Sequence, residues 1–274
     1  MDNTLEINNL SVDYLLEDSE FTAVNNVSFS IKKGEIFGLA GESGCGKSTI
    51  AFAVSRLLQP PAYISQGEVL LNGEDTLKMS AKQITALRWN KVSMVFQSAM
   101  NSLNPVITVE EQFRDMFYKH RGYNKAESAE KAGELLERVG IAPERLSDYP
   151  HQFSGGMRQR IVIAIAIALN PDLLIMDEPT TALDVVVQRE ILMQIHALRK
   201  KLGFSVLFIT HDLSLMTQLC DRIGVMLKGE LVEVASARDI LHNPKHAYTQ
   251  KLWNSIPAAF EDHIRKEQLE ESLA

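Results

Sequence analysis

The chain has 274 residues and 45% of them are hydrophobic, which is enough for one large α/β domain with a buried core. Its formal net charge is −7 and its basic residues are scattered, which argues against nucleic acid as a partner. The two cysteines, Cys45 and Cys220, are far apart and predict neither a disulfide framework nor a zinc site, so a reducing compartment is expected.

The first third of the chain is rich in β-branched residues that alternate or cluster, a pattern typical of strands. Strands are expected at 5–14, 24–31, 35–40, 67–73 and 92–96. Helices are expected between them, from about Lys47 to Leu58 and near 80–88.

From about residue 98 to residue 170 the pattern becomes helical, with one helix expected at 124–139. From residue 172 onward, strands and helices alternate. Strands are expected at 172–177, 204–209 and 222–228, and helices at 185–202 and 212–220. An alternation of this kind, interrupted by a helical insert, favours a parallel sheet covered by helices.

The segment GESGCGKST, residues 41–49, lies between an expected strand and an expected helix. It matches G-x-x-x-x-G-K-[ST], in which glycines let backbone N–H groups wrap a phosphate chain. In this pattern Lys47 reaches the β- and γ-phosphates, Ser48 binds Mg²⁺ and Thr49 lies near the α-phosphate. The residues predicted to bind the nucleotide in this phosphate loop are Gly41, Glu42, Ser43, Gly44, Cys45, Gly46, Lys47, Ser48 and Thr49.

Further polar residues follow the ends of expected core strands, at the edge where open α/β sheets bind ligands. Asp177 and Glu178 end LLIMDE, where the first carboxylate supports Mg²⁺ and the second polarises the attacking water. His211 ends FSVLFITH and is expected at the γ-phosphate, and Gln97 ends VSMVFQ and is expected at the Mg²⁺ and the water. Taken singly, each also fits a structural interpretation: a solvated acidic pair, an exposed histidine or an incidental glutamine.

A second glycine-rich helix start, SGGMRQR at residues 154–160, stands just before a long apolar run. A serine followed by two glycines is suited to begin a helix and to bring N–H groups close to an anion. Because the loop at 41–49 already supplies one phosphate site, this second start indicates half of another site.

Together and in this order, the motifs resemble those of the ATP-binding subunits of ABC transporters, over nearly the whole chain. The resemblance identifies 41–49 as the Walker A loop, Gln97 as the Q-loop and His211 as the switch histidine. It also implies that Tyr14 stacks on adenine and that ALD, residues 182–184, is the D-loop. The residues it places against the ATP of a facing subunit, in trans, are Ser154, Gly155, Gly156, Met157 and Asp184.

The implied fold is α/β: a P-loop NTPase (RecA-like) core with an antiparallel β subdomain and a helical insert, the ABC ATPase fold. The core with its β subdomain is expected at 1–97 and 171–235, the helical signature subdomain at 98–170 and a short C-terminal extension at 236–274. The implied catalytic residues are Lys47, Gln97, Glu178 and His211, and the implied Mg²⁺ ligands are Ser48, Gln97 and Asp177. In the insert, the side chains that either line a cleft for a membrane subunit or pack the insert's own core are Phe113, Phe117 and Tyr118.

Three segments narrow the resemblance: SLNP at 102–105, FSGGMRQR with Met157, and NPKHAYTQKL at 243–252. They resemble the oligopeptide, dipeptide and nickel uptake group, some members of which import oligosaccharides. The resemblance implies an ATPase that powers solute import, with peptides as the leading cargo and oligosaccharides or nickel as alternatives. Its implied partners are a second, homologous but different ATPase chain, two transmembrane permease subunits and a solute-binding protein, without nucleic acid.

The expected location is the cytoplasmic face of a bacterial inner membrane, as a peripheral subunit. The longest purely apolar run, residues 161–169, has about half the length that a membrane span needs. The first residues also lack the charged-then-apolar pattern of a secretory signal. We therefore expect a chain that does not itself cross a bilayer.

Two other classes share the phosphate loop. A soluble ABC ATPase that acts on ribosomes or DNA usually carries two such domains in one chain or a long coiled-coil insert, and the sequence shows neither. A P-loop GTPase needs the guanine motif N-K-x-D, whereas NKAE at 124–127 lacks the aspartate. Both classes remain alternatives to the transport ATPase.

Overall fold

The computed structural model describes residues 3–97, 99–180 and 183–254. Two β-sheets lie at its centre, one with six strands and one with four. Ala182 of the predicted D-loop and the last part of the predicted C-terminal extension lie outside the described residues.

The elements follow the expected order along the chain. The strands are β1 (Asn3–Leu15), β2 (Glu20–Lys32), β3 (Ile36–Ala40), β4 (Ala62–Leu71), β5 (Glu74–Asp75), β6 (Val92–Val95), β7 (Leu173–Asp177), β8 (Ser205–Ile209), β9 (Arg222–Leu227) and β10 (Glu230–Ser236). The helices are α1 (Lys47–Val54), α2 (Ala81–Leu87), α3 (Val109–Arg121), α4 (Lys125–Arg138), α5 (Gly155–Ile167), α6 (Val185–Leu202), α7 (Leu213–Leu219), α8 (Ala237–His242) and α9 (Ala247–Asn254).

The six-stranded sheet has the order β10-β9-β3-β8-β7-β6. Its neighbours pair in parallel from β9 to β6, and only β10 is antiparallel to β9. This confirms the parallel sheet expected from the alternation of strands and helices. Because the carboxyl ends of parallel strands share one edge, the segments after β3, β6, β7 and β8 meet there.

The four-stranded sheet is antiparallel in the order β2-β1-β4-β5 and forms the predicted β subdomain. Strand β2 begins at Glu20, four residues earlier than expected, because it continues its pairing with β1 to the hairpin. That pairing sets Tyr14 opposite Phe21.

The central strands β7 and β8 are buried on both faces, which explains why they read as continuous apolar runs. Leu173 and Ile175 face the hydrophobic core shared with the antiparallel sheet and α1. Leu174 and Met176 face the second core, which holds the helical insert together with α5, α6 and α7. The two cores pack on opposite faces of the central sheet and thereby hold its carboxyl edge in place.

Local sequence accounts for where several helices begin and end. Asn124 caps α4 in a reciprocal hydrogen-bond pair with Glu127, and Gly203 ends α6 in the left-handed conformation (φ 79°). Helix α1 ends at Val54, four residues before the expected Leu58, since Arg56 adopts a left-handed conformation (φ 56°). Strand β10 and helices α8 and α9, for which the sequence analysis expected no secondary structure, complete the described part of the chain.

Two of the three aromatic residues considered for a cleft pack in the insert's own core. Phe113 and Phe117 are buried and pack against each other with 6.3 Å between ring centroids. They belong to the insert's own core, whereas Tyr118 is 72% exposed.

A separate expectation concerns membrane spans. None of the helices in the described residues is both long and apolar enough to cross a bilayer.

Candidate functional site

A cavity of about 700 Å³ opens at the carboxyl edge of the parallel sheet, within the size range of small-molecule sites. Its lining residues are Tyr14, Phe21, Ala23, Glu42, Ser43, Gly44, Gly46, Lys47, Ser48, Thr49, Gln97, Asp177, Glu178 and His211. The fold thus brings together residues predicted from five separate segments of the sequence. Of the phosphate loop, Gly41 and Cys45 are behind the lining, and the thiol-bearing Cys45 is buried.

Two glycines let the phosphate loop press against the strands behind it. A Cβ atom on Gly41 (φ +145°) would lie 2.4 Å from the carbonyl oxygen of Met226 in β9. A Cβ atom on Gly46 (φ +103°) would lie 2.5 Å from the carbonyl oxygen of Ala23 in β2. Neither position accepts a larger residue without moving backbone, so the loop delivers the amino end of α1 to the cavity. Helix amino ends of this kind bind anions.

Lys47 supplies the positive charge of the loop. Its Nζ donates to the carbonyl oxygens of Gly41 at 2.7 Å and Glu42 at 2.8 Å and lies 3.6 Å from Sγ of Cys45. The side chain is almost fully buried but lines the cavity. These contacts hold the ammonium group of Lys47 at the cavity, where the sequence predicts that it meets a phosphate chain.

Asp177, Ser48 and Gln97 all line the cavity and all carry side-chain oxygen atoms. The Ser48 hydroxyl hydrogen-bonds to Asp177, and within the described residues the buried Oδ1 of Asp177 has no partner. Burial raises the pKa of Asp177 and the charge of Glu178 adds to this, while the Ser48 hydrogen bond and Lys47 oppose it. A buried carboxylate oxygen without a partner, beside a hydroxyl and an amide, fits Mg²⁺, which prefers oxygen ligands.

The raised pKa of Asp177 predicts that the ionised carboxylate, which suits Mg²⁺, lowers the stability of the folded chain. A carboxyl group whose pKa is raised in the folded state costs stability once ionised, and the cost grows as the pH rises through that pKa. We expect Asp177→Asn, whose amide oxygen still accepts from Ser48, to raise the melting temperature in EDTA at pH 7.5 above that of wild type. The gain should shrink toward pH 4, and added Mg²⁺-ATP should no longer stabilise the variant.

The control for this measurement is Asp172→Asn, which alters a more exposed carboxylate paired with Lys91 at 3.0 Å. It should leave the melting temperature within about 1 °C of wild type, as a surface ion pair contributes little. A lowered melting temperature for Asp177→Asn in EDTA would contradict the prediction.

The carboxylate of Glu178 is held by hydrogen bonds with the two residues that follow β8, not by residues of its own strand, β7. Its Oε1 lies 2.8 Å from Nδ1 of His211 and accepts from the backbone N–H of His211 at 3.1 Å. The Thr210 hydroxyl donates to Oε2 at 3.3 Å. The predicted water-polarising carboxylate and switch histidine therefore form one unit, a pairing that the sequence did not reveal because the two residues are 33 positions apart.

The backbone of Glu178 is left-handed, with φ 47°. A side chain other than glycine rarely adopts this conformation, and such strain is concentrated at functional sites. The Glu178 N–H donates to the carbonyl oxygen of Ile209 at 2.9 Å, which pins the strained residue to β8. The carboxylate therefore enters the cavity from a fixed backbone position.

Aromatic side chains form the outer wall of the cavity. The rings of Tyr14 and Phe21 lie 6.5 Å apart and tilted by 52°. Tyr14 was expected here, whereas Phe21 and its neighbour Ala23 were not, although the alternation of β2 opposite β1 was the available clue. Two rings at the mouth provide apolar surface for a nucleobase.

The signature residues lie outside this cavity. Ser154 caps α5 by accepting from the Met157 N–H at 3.3 Å. A Cβ atom on Gly156 would lie 2.6 Å from Cγ1 of Val187, so this glycine lets α5 approach α6. Asp184 caps α6 by accepting from the Val187 N–H at 3.0 Å. None of the predicted trans residues within the described segments lines the cavity formed by the phosphate loop.

Two family models match the chain. Residues 24–181 match the family described as ABC transporter, and residues 232–273 match the family described as oligopeptide/dipeptide transporter, C-terminal region. The first match spans the phosphate loop, the signature helix and Glu178. The second covers β10 onward, including α8 and α9.

Relatives and solved structures agree with these matches. The chain is 43% identical to the oligopeptide transport ATP-binding protein OppD of Bacillus subtilis, over 92% of this chain and 72% of that protein. It is 42% identical to the dipeptide transport ATP-binding protein DppD of the same organism, over 94% of this chain and 78% of that protein. The ATP-binding cassette MJ0796, solved as a dimer in a post-hydrolysis state bound to ADP and Pi, is 30% identical with a TM-score of 0.75, over 85% of this chain and 99% of that chain. With the cavity and the ordered motifs, these similarities place the chain in the family of ABC transporter ATP-binding proteins, the ATPases coupled to ABC transport.

Proposed function

We propose that this chain hydrolyses ATP with Mg²⁺ in a head-to-tail pair of ATPase subunits and thereby powers the import of oligopeptides or dipeptides. The observation that carries the proposal is the division of motifs within one chain. The cavity holds the phosphate loop and the hydrolytic residues, while the glycine-rich start of α5 stays outside it. A helix start of this kind, turned away from its own cavity, suits the phosphate of a facing subunit.

The cavity residues divide the work of hydrolysis. Lys47 and the amino end of α1 bind the phosphates, and the rings of Tyr14 and Phe21 pack against the adenine. Glu178 orients the attacking water and accepts its proton, and His211, hydrogen-bonded to Glu178, contacts the γ-phosphate.

Ser48, Gln97 and Asp177 would hold Mg²⁺, which would supply positive charge to offset the negative charge of the phosphate oxygens. Gln97 lies two residues after the end of the short strand β6 and precedes the helical insert. We propose that Gln97, which lines the cavity, passes the state of the site to that insert.

In the paired state, Ser154, Gly155, Gly156 and Met157 of one subunit close over the ATP of the other, with Asp184 at the same interface. ATP then favours the closed pair because it contacts both subunits only when they are closed. Moving such an equilibrium from 1:99 to 99:1 takes about 5.5 kcal/mol of differential binding. Hydrolysis removes these contacts and releases the pair.

For the cargo, support comes from the match of residues 232–273 and from relatives named for peptide transport. We propose a homologous but different ATPase chain as the second subunit, two permease subunits that span the membrane, and a solute-binding protein that delivers the cargo. The chain then works at the cytoplasmic face of the bacterial inner membrane.

The test is a deletion of the gene for this chain, followed by uptake of labelled dipeptides, oligopeptides, oligosaccharides and nickel. We expect peptide uptake to be lost and to return with the wild-type gene but not with Lys47→Ala. Lys47→Ala should weaken ATP binding about 10- to 100-fold, the range for a lost charge-assisted hydrogen bond to phosphate. Binding is measured on the purified chain with a fluorescent ATP analogue.

Each other outcome contradicts part of the proposal. Loss of oligosaccharide or nickel uptake alone would replace the peptide cargo with one of the alternatives. Unchanged uptake of all four classes would favour a soluble ABC ATPase, and unchanged ATP affinity in Lys47→Ala would refute the phosphate-loop assignment. Lys82→Ala, which removes a lysine on the exposed side of α2, serves as the control and should behave as wild type.

A further inference from the structure

The C-terminal part of the chain touches the phosphate loop. The backbone N–H of Glu42 donates to the hydroxyl oxygen of Tyr248, in α9, at 3.3 Å. The two residues are 206 positions apart, and Tyr248 does not line the nucleotide cavity. Its ring is half-buried at the edge of the larger core. A contact of this kind acts on the loop from behind, without reaching the ligand.

Three hydrogen bonds just before and at the start of α9, together with one buried side chain, hold Tyr248 in place. Glu233 of β10 accepts from the backbone N–H groups of Lys245 at 2.8 Å and His246 at 3.0 Å. Burial alone would raise the pKa of Glu233, but hydrogen bonds from the Thr249 side chain and from these two backbone N–H groups lower it, so the carboxylate is charged at neutral pH. The N–H of Tyr248 donates to Nδ1 of His246 at 3.2 Å, and the buried Trp253 anchors the other end of α9.

The peptide group between Gly41 and Glu42 links this support to Lys47. Its N–H, that of Glu42, donates to Tyr248, and its carbonyl oxygen, that of Gly41, accepts from Nζ of Lys47 at 2.7 Å. The orientation of a peptide plane fixes both its N–H and its carbonyl. Holding the N–H with Tyr248 therefore fixes the carbonyl that positions the Lys47 ammonium.

We propose that Tyr248 is a positioning residue of the ATP site, through which the region after β10 orders the phosphate loop for nucleotide binding. The proposal rests on the proposed function, because it assumes that the loop binds ATP. Burial and the nearby charge of Glu42 raise the pKa of the Tyr248 hydroxyl, so it is neutral at physiological pH and available to accept.

The test is Tyr248→Phe, which keeps the ring and removes only the hydroxyl. A hydrogen bond contributes about 0.5–1.5 kcal/mol net, so the KM for ATP should rise about two- to tenfold, with kcat within about twofold of wild type. Both constants are measured on the full chain within its transporter. The Glu42 amide should also exchange its hydrogen with solvent faster, as resolved by mass spectrometry of fragments from the loop.

The matched control is Tyr123→Phe, which removes a hydroxyl from a half-buried ring that packs on Phe117 in the insert. It should change neither the KM nor the exchange of the Glu42 amide. An unchanged KM with unchanged exchange in Tyr248→Phe would overturn the proposal, as would a fall in kcat at unchanged KM. A wild-type transporter without ATP turnover would instead refute the proposed function, and the exchange measurement would still decide whether Tyr248 orders the loop.

Discussion

Glu178→Gln is expected to bind ATP with near wild-type affinity and to hydrolyse it about 10²- to 10⁴-fold more slowly, the range for a lost general base. The amide oxygen of glutamine can still accept from the His211 N–H, as Oε1 does, and its NH2 group can donate to the Thr210 hydroxyl oxygen where Oε2 accepts, so the left-handed backbone at this position keeps its support. What the variant lacks is a carboxylate that takes the proton of the attacking water. Since the ATP stays intact, the pair of ATPase subunits should remain closed.

Two measurements on the purified ATPase pair check this expectation. Phosphate release under single-turnover conditions gives the rate, and size-exclusion chromatography with Mg²⁺-ATP reports the closed pair. Glu74→Gln, a change at an exposed position on β5, is the control and should hydrolyse normally and show no trapped pair. Hydrolysis near the wild-type rate in Glu178→Gln would remove Glu178 from its proposed role.

The spacing of apolar residues and the residues that end helices, such as glycine, were enough to predict most of the fold. Helix α6 begins and ends where the apolar spacing and Gly203 predicted, because a helix terminus depends on a few neighbouring residues. The core strands β7 and β8 were recognisable because burial on both faces leaves no polar alternation. The parallel sheet then follows from strands separated by helices, and its carboxyl edge gathers the phosphate loop, Gln97 and Asp177.

What the sequence could not predict depends on contacts between distant segments. The pairing of Glu178 with His211 depends on the register of β7 against β8, which sets Asp177 opposite Ile209 and which the sequence pattern does not reveal. Phe21 reaches the cavity because β2 pairs with β1 up to the hairpin, and Tyr248 reaches the phosphate loop across 206 residues. A pattern with a period of two or 3.6 residues carries no information on such pairs.

The glycine-rich start of α1 lines the cavity, whereas the glycine-rich start of α5 lies outside it. This difference leads to the second prediction with a large expected effect on hydrolysis. Ser154→Arg is expected to leave ATP binding by this chain unchanged, because Ser154 does not line the cavity of its own phosphate loop. It should nevertheless abolish hydrolysis at the site whose phosphate loop belongs to the facing subunit. An arginine side chain at the start of α5 fills the space that the phosphates of that ATP need and keeps the pair from closing.

Loss of the helix cap must be separated from loss of the trans contact. Removing a capping serine costs about 1 kcal/mol, and Ser80→Arg, which breaks the equivalent cap on α2, makes the matched control. Ser154→Asp is the informative companion, since aspartate caps as well as serine but sets a negative charge against the phosphates. We expect Ser80→Arg to hydrolyse normally and Ser154→Asp to fail as Ser154→Arg does.

Binding of a fluorescent ATP analogue to the isolated chain and hydrolysis by the assembled pair are the two measurements for this prediction. If Ser154→Arg abolished ATP binding by its own chain, the serine would belong to the same site as Lys47, and the head-to-tail arrangement would be wrong. If both Ser154 variants hydrolysed normally, the amino end of α5 would have no part in the reaction. Intact binding with lost hydrolysis is the one result that requires two subunits to complete each site.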